Sequence, residues 1–284
     1  MPLVEKNINN FSVIDNHVVL SEQYLKKQSF MFKKITGTRF SSIVGLSKYN
    51  SPFKTWMIMT NLYRDVMDPT LAKVGNTIEP LVREHVISKL NCKFKVYEPA
   101  KCNWDVFPEN PIFGGIPDGE PINESGQLEY STGLPMLEIK TTSIDSFVYK
   151  KENHELRLQK DANGLPLIKE AGGKRASWFN NQGINIPDDY KLQLGLYLYL
   201  RNANKGLFAI AFLKPEDYVH PESFKIIDHE IALVNMDIRD KASLIQYVEA
   251  AKSWYISYIK TGHSPQMTVE DKMWLENERT FLNR

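Results

Sequence analysis

Cysteine is nearly absent. The 284 residues include two, Cys92 and Cys102, so neither a disulfide framework nor a four-cysteine zinc or iron–sulfur site can be built within the chain. Both fall in stretches of strand-like composition, which predicts small hydrophobes on neighbouring strands and not metal ligands. Charge of one sign is also lacking: 35 Lys and Arg oppose 34 Asp and Glu, for a formal net charge of +1. That balance neither demands nor excludes a nucleic-acid partner, because phosphate binding depends on local clustering. The longest nearly apolar run, LQLGLYLYL (192–200), is too short to cross a bilayer. The opening MPLVEKNINN is polar and charged, unlike a secretory signal. These features predict a cytoplasmic protein with no membrane partner. GGKRAS (172–177) has Ile168 where a phosphate-binding P-loop needs glycine, and no Gly-x-Ser-x-Gly or His-Glu-x-x-His occurs.

No internal repeat, low-complexity tract or linker divides the chain, so one domain over 1–284 is expected. The expected plan is an N-terminal helical part (1–90), a core (91–235) with an inserted segment at about 143–189, and C-terminal helices (238–284). Helices are predicted near 40–46, from Ser51-Pro52 onward, and through VGNTIEPLVREHVISKL, where residues 78, 81, 82, 86 and 90 keep helical period. Residues 92–142 break into short turn-bounded apolar pieces that suggest an antiparallel meander. Residues 143–189 read as polar and irregular, with a hairpin expected around the turn DANG (161–164). A helix is expected from Asp188 or Asp189, then strands in GLFAIAFL and KIIDHEIAL, a helix over about 238–260 and another from about 268. The sum is a mixed α/β core. Basic residues cluster in YLKKQSFMFKKITGTR (24–39) and again over 148–175; each reads equally as a solvated face.

Charge stands where a buried strand tolerates it least. IFGGIPDGE (112–120) ends an apolar run with Asp118, and PMLEIKTT (135–142) carries Glu138 and Lys140 inside another. If the two segments are adjacent strands, Asp118 and Glu138 lie side by side. Buried carboxylates that close repel, and a divalent cation relieves the repulsion. Strand alternation puts Lys140 on the same face as Glu138, able to orient or activate a water there, and leaves the Ile139 carbonyl as a further ligand. The plainer alternative is a turn aspartate and a surface ion pair.

IPDG followed by LEIK resembles the PD-(D/E)xK nuclease superfamily. ITGT (35–38), GNTIE (75–79), IPDG (116–119), LEIK (137–140) and YKLQ (190–193), in that order, resemble more narrowly the phage λ-exonuclease/YqaJ viral recombinase family. The resemblance implies a restriction-endonuclease-like core, a central mixed β-sheet flanked by helices. It implies a metal-dependent deoxyribonuclease using Mg²⁺, or Mn²⁺ in its place. Asp118, Glu138, the Ile139 carbonyl and Glu79 would be metal ligands, Lys140 the catalytic lysine, and Gln193 a helix residue directed into the site. Asn76 and Glu79 also have the spacing of a capping box. Lys33, Lys34, Thr38, Arg39 and Ser41, with Lys174 and Arg175 of the insertion, are the candidate DNA- and phosphate-binding residues. Ile116 stands where relatives often carry serine, which removes one expected 5′-phosphate contact. The function implied is an exonuclease acting on duplex ends in recombination or repair. Its alternatives are an endonuclease on the same core and an inactive DNA-binding module. A single-strand annealing protein and a ring of three subunits are the partners implied.

Overall fold

The computed structural model describes residues 9–64, 68–152, 155–238 and 241–282. Most of the opening MPLVEKNINN, part of the basic cluster over 148–175 and part of the start of the helix expected from about 238 lie outside the described residues. The N-terminal part, expected to be helical, opens on a hairpin of β1 (Phe11–Ile14) and β2 (His17–Leu20). Asp15 and Asn16 turn it with φ of 47° and 67°, the left-handed values a two-residue hairpin loop favours. Helices α1 (Glu22–Gln28), α2 (Gly37–Ile43), α3 (Pro52–Met59) and α4 (Pro69–Leu90) follow. α3 starts as its sequence signals: the Ser51 hydroxyl accepts from the Lys54 N–H at 3.0 Å, with Pro52 at the first helical position.

α4 begins earlier than its apolar period alone indicates, capped by Asp68 ahead of Pro69. Asn76 and Glu79 therefore lie inside the helix, and the capping-box reading of that pair is wrong. Val74, Ile78, Val82 and Val86 form its buried stripe, four residues apart, whereas Leu81 and Leu90 are exposed.

The antiparallel meander expected over 92–142 is mostly absent. Only β3 (Lys93–Lys95) and β4 (Glu120–Ile122) pair in regular strands there. The intervening chain makes turns, with Asn103 and Trp104 at positive φ, and prolines at 108 and 111 withhold backbone donors. Cys92 is buried just before β3, but Cys102 lies in a turn closed by the Cys102 N–H on the Glu98 carbonyl, so the two are not on neighbouring strands.

β5 (Met136–Ser143) leads into the inserted segment. It is not irregular: β6 (Ser146–Phe147), β7 (Tyr149–Glu152), β8 (Glu155–Leu158) and β9 (Ile168–Glu170) form the ladders β6–β9 and β7–β8. After α5 (Gly173–Ala176), β10 (Phe179–Asn180) and β11 (Gly183–Ile184) pair as a further hairpin. The turn at 161–164 is present, with the Gly164 N–H on the Asp161 carbonyl at 3.1 Å. α6 (Asp188–Leu200), β12 (Lys205–Leu213), β13 (Glu230–Asp237), α7 (Ala242–Trp254) and α8 (Val269–Leu282) complete the order. The long C-terminal helix is α7 plus one π-helical turn, Tyr255–Ile259. No described helix is long and apolar enough to cross a membrane.

The central sheet runs β13-β12-β5, with β12 antiparallel to β13 and parallel to β5. It is the mixed sheet flanked by helices that the family resemblance implied. Alternation divides its side chains between two layers. Leu137, Ile139, Leu207, Ala209, Ala211 and Leu213 pack with the buried stripe of α4. Met136, Phe208, Ile210 and Phe212 pack with Leu194, Tyr197 and Leu198 of α6. A third cluster joins the N-terminal helices to α7 and α8. Glu138 and Lys140 share the α6 side of β5 and oppose Phe208 and Ile210 in register, so both charges face a helix and not water.

Candidate active site

Asp118 and Glu138 are brought together as the sequence suggested, by a short antiparallel contact. The Leu137 N–H donates to the Gly119 carbonyl at 2.8 Å, and the Gly119 N–H to the Leu137 carbonyl at 3.2 Å. One residue pair further on, a side chain replaces the ladder: the Asp118 Oδ2 accepts from the Ile139 N–H at 2.7 Å. A strand residue's N–H and C=O point to the same side, so the Ile139 carbonyl faces Asp118 as well.

Glu138 is 1% exposed. Its Oε1 accepts from Lys140 Nζ at 2.6 Å and from Gln193 Nε2 at 2.5 Å, while Lys140 Nζ also donates to Gln193 Oε1 at 3.1 Å. These two bonds fix the orientation of the Gln193 amide. The Lys140 ammonium also lies 4.6 Å from the centre of the Tyr190 ring. α2 approaches α6 closely enough here that a Cβ on Gly37 would collide with the Gln193 side chain.

Burial holds three carboxyls above the ordinary carboxylate range. Burial first, then the charge of Asp118, push the Glu138 carboxyl up to about 8, against the pull of Lys140. Burial likewise raises Asp118. Glu79, half-buried on α4, is pushed up to about 7 by burial and then by Asp118. Burial alone would lower Lys140, but Glu138 and Asp118 outweigh it and hold the ammonium above its usual value. Lys140 is thus a fixed cation. Glu138 Oε2 is buried with no hydrogen-bond partner, and a buried, orphaned carboxylate oxygen is what a cation would satisfy. Among the described residues no three Asp, Glu, His or Cys side chains form a ready-made cage. Mg²⁺ fits such a site, because it takes one or two carboxylates and keeps waters or phosphate oxygens for its remaining positions.

The expected phosphate-binding residues are scattered in their commitments. Lys34 Nζ pairs with Asp105 at 2.6 Å and donates to the Phe107 carbonyl at 2.9 Å. Arg39 donates to the Lys34 carbonyl at 2.9 Å. Arg175 forks onto Glu230 at 2.6 and 3.0 Å. Ser41 is 3% exposed and belongs to the core. Lys33 is half-buried, and Thr38 is exposed with its hydroxyl 3.1 Å from that of Thr36. Lys174 lines a cleft of about 320 Å³ with Lys48, Tyr49, Trp178 and Tyr190. Trp178 stacks on Tyr190, centroids 5.6 Å apart, so this cleft adjoins Lys140 through the Tyr190 ring. Trp178 belongs to none of the sequence motifs, whereas Lys48 and Tyr49 lie in LSKYNSPFKTW (46–56), which resembles the family's N-terminal helix junction. Tyr190 is the first residue of YKLQ.

A sequence profile for the YqaJ-like viral recombinase domain matches residues 26–204. A protein of Mycoplasma genitalium, MG373, is 51% identical over 277 residues, covering 97% of this chain and 98% of that one. Its homologue in Mycoplasma pneumoniae is 51% identical over 267 residues, 94% and 95% of the two chains. Among solved structures, an alkaline exonuclease from Laribacter hongkongensis superimposes with a TM-score of 0.49 at 11% identity, covering 92% of this chain and 100% of its own. A phage-related exonuclease from Haemophilus somnus 129PT gives 0.47 at 14% identity, covering 82% and 96%. The profile spans Glu79, Asp118, Glu138, Lys140 and Gln193, and the chain belongs to the YqaJ-like viral recombinase family.

Proposed function

We propose that this protein is a divalent-metal-dependent deoxyribonuclease that degrades duplex DNA from its ends, in phage-type recombination or repair. The observation that carries the reading is the state of Glu138. One oxygen is saturated by Lys140 and Gln193, the other is buried and unpartnered, and burial first, then Asp118, raises the pKa of the carboxyl. Asp118, Glu138 and the Ile139 carbonyl would hold Mg²⁺ or Mn²⁺, with Glu79 at the margin. The chemistry such an ion supplies is neutralisation of phosphate charge and polarisation of a water.

The chain's own residues do the rest. Lys140 presents a permanent ammonium to the charge that develops on the phosphate oxygens, and Tyr190 beneath it limits its travel. Gln193 holds the Glu138 carboxylate and the Lys140 ammonium in one set of hydrogen bonds, so neither must reorganise during reaction. Lys48 and Lys174 face the same cleft beside Tyr190 and are the first candidates for backbone phosphates. A ring of three subunits and an annealing-protein partner belong to the same reading. Light scattering tests the ring directly, against a chain mass of 32.8 kDa.

Glu138→Ala and Lys140→Ala test the site. Each is expected to abolish hydrolysis while DNA binding, measured by fluorescence anisotropy, stays near wild type, because distributed lysines hold the backbone. Variants that cleave at the wild-type rate would remove the assignment.

A further inference from the structure

Two residues beyond Asp118 stands a second acid, Glu120, that the proposed chemistry does not use. It is 0% exposed. Both of its oxygens are taken: Oε1 accepts from the Tyr130 phenol and from Arg201 Nε at 2.7 Å, Oε2 from the Tyr97 phenol and from Arg201 Nη2 at 3.0 Å. Four donors leave no lone pair aimed at a cation, so Glu120 is not a further ligand. Burial and the Glu120 charge push both phenols up, which keeps them protonated as donors.

Arg201 is the residue at the C-terminal end of α6, eight residues after Gln193. On a helix that is roughly 12 Å along the axis. Its guanidinium also donates to the Val106 carbonyl at 3.3 Å and lies 4.3 Å from the centre of the Phe107 ring. Phe107 stacks in turn on Tyr197, ring centroids 6.1 Å apart, and the Tyr197 phenol packs against Gly115, just ahead of the IPDG segment, so closely that a Cβ there would lie 2.6 Å from its oxygen. One end of α6 therefore carries Gln193 against Glu138, and the other is bolted to the strand that follows Asp118.

We propose that the Glu120–Arg201 pair, bidentate and closed by Tyr97 and Tyr130, is a positioning clamp that fixes Asp118 relative to the Glu138–Gln193 pair and so sets the geometry of the metal site. The proposal rests on the nuclease reading for its consequence in catalysis, but the geometry it predicts can be read without turnover. A buried ion pair is poor evidence for stability, because well-packed apolar residues often serve as well or better. What a fully satisfied buried network provides is a single arrangement of the groups it joins. Here the joined segments are the one that supplies Asp118 and the helix that supplies Gln193.

The test is Arg201→Lys, which keeps the positive charge but cannot present two parallel N–H groups to one carboxylate. Mn²⁺ binding to the metal-free protein is measured by titration calorimetry, and kcat and KM are measured on linear duplex DNA well below the melting temperature. Loosening an outer partner of a metal site costs about 10- to 100-fold in metal affinity, so Mn²⁺ affinity should fall at least tenfold. kcat should drop by a similar factor, with KM for DNA within about twofold, since misplacement of reacting groups acts on the chemical step. A variant that melts lower yet binds Mn²⁺ and turns over like wild type would show a purely structural role and overturn the clamp. If Arg201→Lys does not fold, Tyr130→Phe removes one donor to Glu120 and should shift both quantities the same way; no shift overturns the proposal. Wild-type protein that binds Mn²⁺ but cleaves no DNA ends the nuclease reading, and the calorimetric comparison then decides the clamp alone.

Discussion

The charge state of Glu138 should be visible in the stability of the metal-free protein. Its carboxyl is pushed from 4.5 up to about 8 by burial first and Asp118 second. A carboxyl with a raised pKa binds its proton more tightly in the folded state than in the unfolded one. Folding stability therefore falls as pH rises from 4.5 to about 8, and the loss is complete above the folded value. At about 1.4 kcal/mol per unit, the penalty is on the order of 3–5 kcal/mol, shared with Asp118 and Glu79, whose shifts have the same sign. Glu138→Gln keeps the shape and cannot ionise. Urea unfolding in EDTA across pH 5 to 9 should show the wild type losing stability relative to the variant through that window. Saturating Mg²⁺ should restore the wild type at high pH by about 2.7 kcal/mol at a hundredfold excess over Kd and leave the variant nearly unchanged. Parallel pH curves for the two proteins would refute the reasoning, because they would mean that Glu138 carries no buried, unrelieved charge.

Two further outcomes are expected of the same geometry. Gly37→Ala drives a methyl into the Gln193 side chain; overpacking of this kind costs about 1–3 kcal/mol, so a modest drop in melting temperature should accompany a larger loss of kcat as Gln193 leaves Glu138. Replacing Lys48 and Lys174 together by alanine should raise KM for DNA with kcat unchanged, and reduce the log–log salt slope of binding by roughly 0.9 for each DNA phosphate left unneutralised. A salt slope equal to wild type would move the DNA path away from the cleft beside Tyr190.

Local signals in the sequence correspond to the structure. Ser51-Pro52 starts α3, the turn at 161–164 forms, and Asp118 meets Glu138 because a Pro-Asp-Gly bend and a short apolar strand lie within one antiparallel contact. Gln193 is legible as inward-facing because the turns of α6 that follow it are apolar. Non-local pairing is not legible. β5 lies parallel to β12 some seventy residues later, and nothing in PMLEIKTT names that partner, so the 92–142 region reads as a meander of its own. Phe113 has the look of a strand residue, yet it is buried with Phe40 in the N-terminal core, ring centres 6.4 Å apart. The Asp68-Pro69 start of α4 is present in the sequence, but the apolar period shows only from further along, and Asn76 with Glu79 then mimics a cap. Lys34 reads as a phosphate ligand because its partner, Asp105, is 71 residues away.

The central claim, metal-dependent cleavage from DNA ends, is tested most directly by incubating purified protein with end-labelled linear duplex beside closed circular duplex, in Mg²⁺ and in EDTA. The account predicts release of label from the linear DNA in Mg²⁺, none in EDTA, and intact circles in both. Nicked or linearised circles in Mg²⁺ would establish an endonuclease on the same core, and cleavage that persists in EDTA would contradict the metal site built on Asp118 and Glu138.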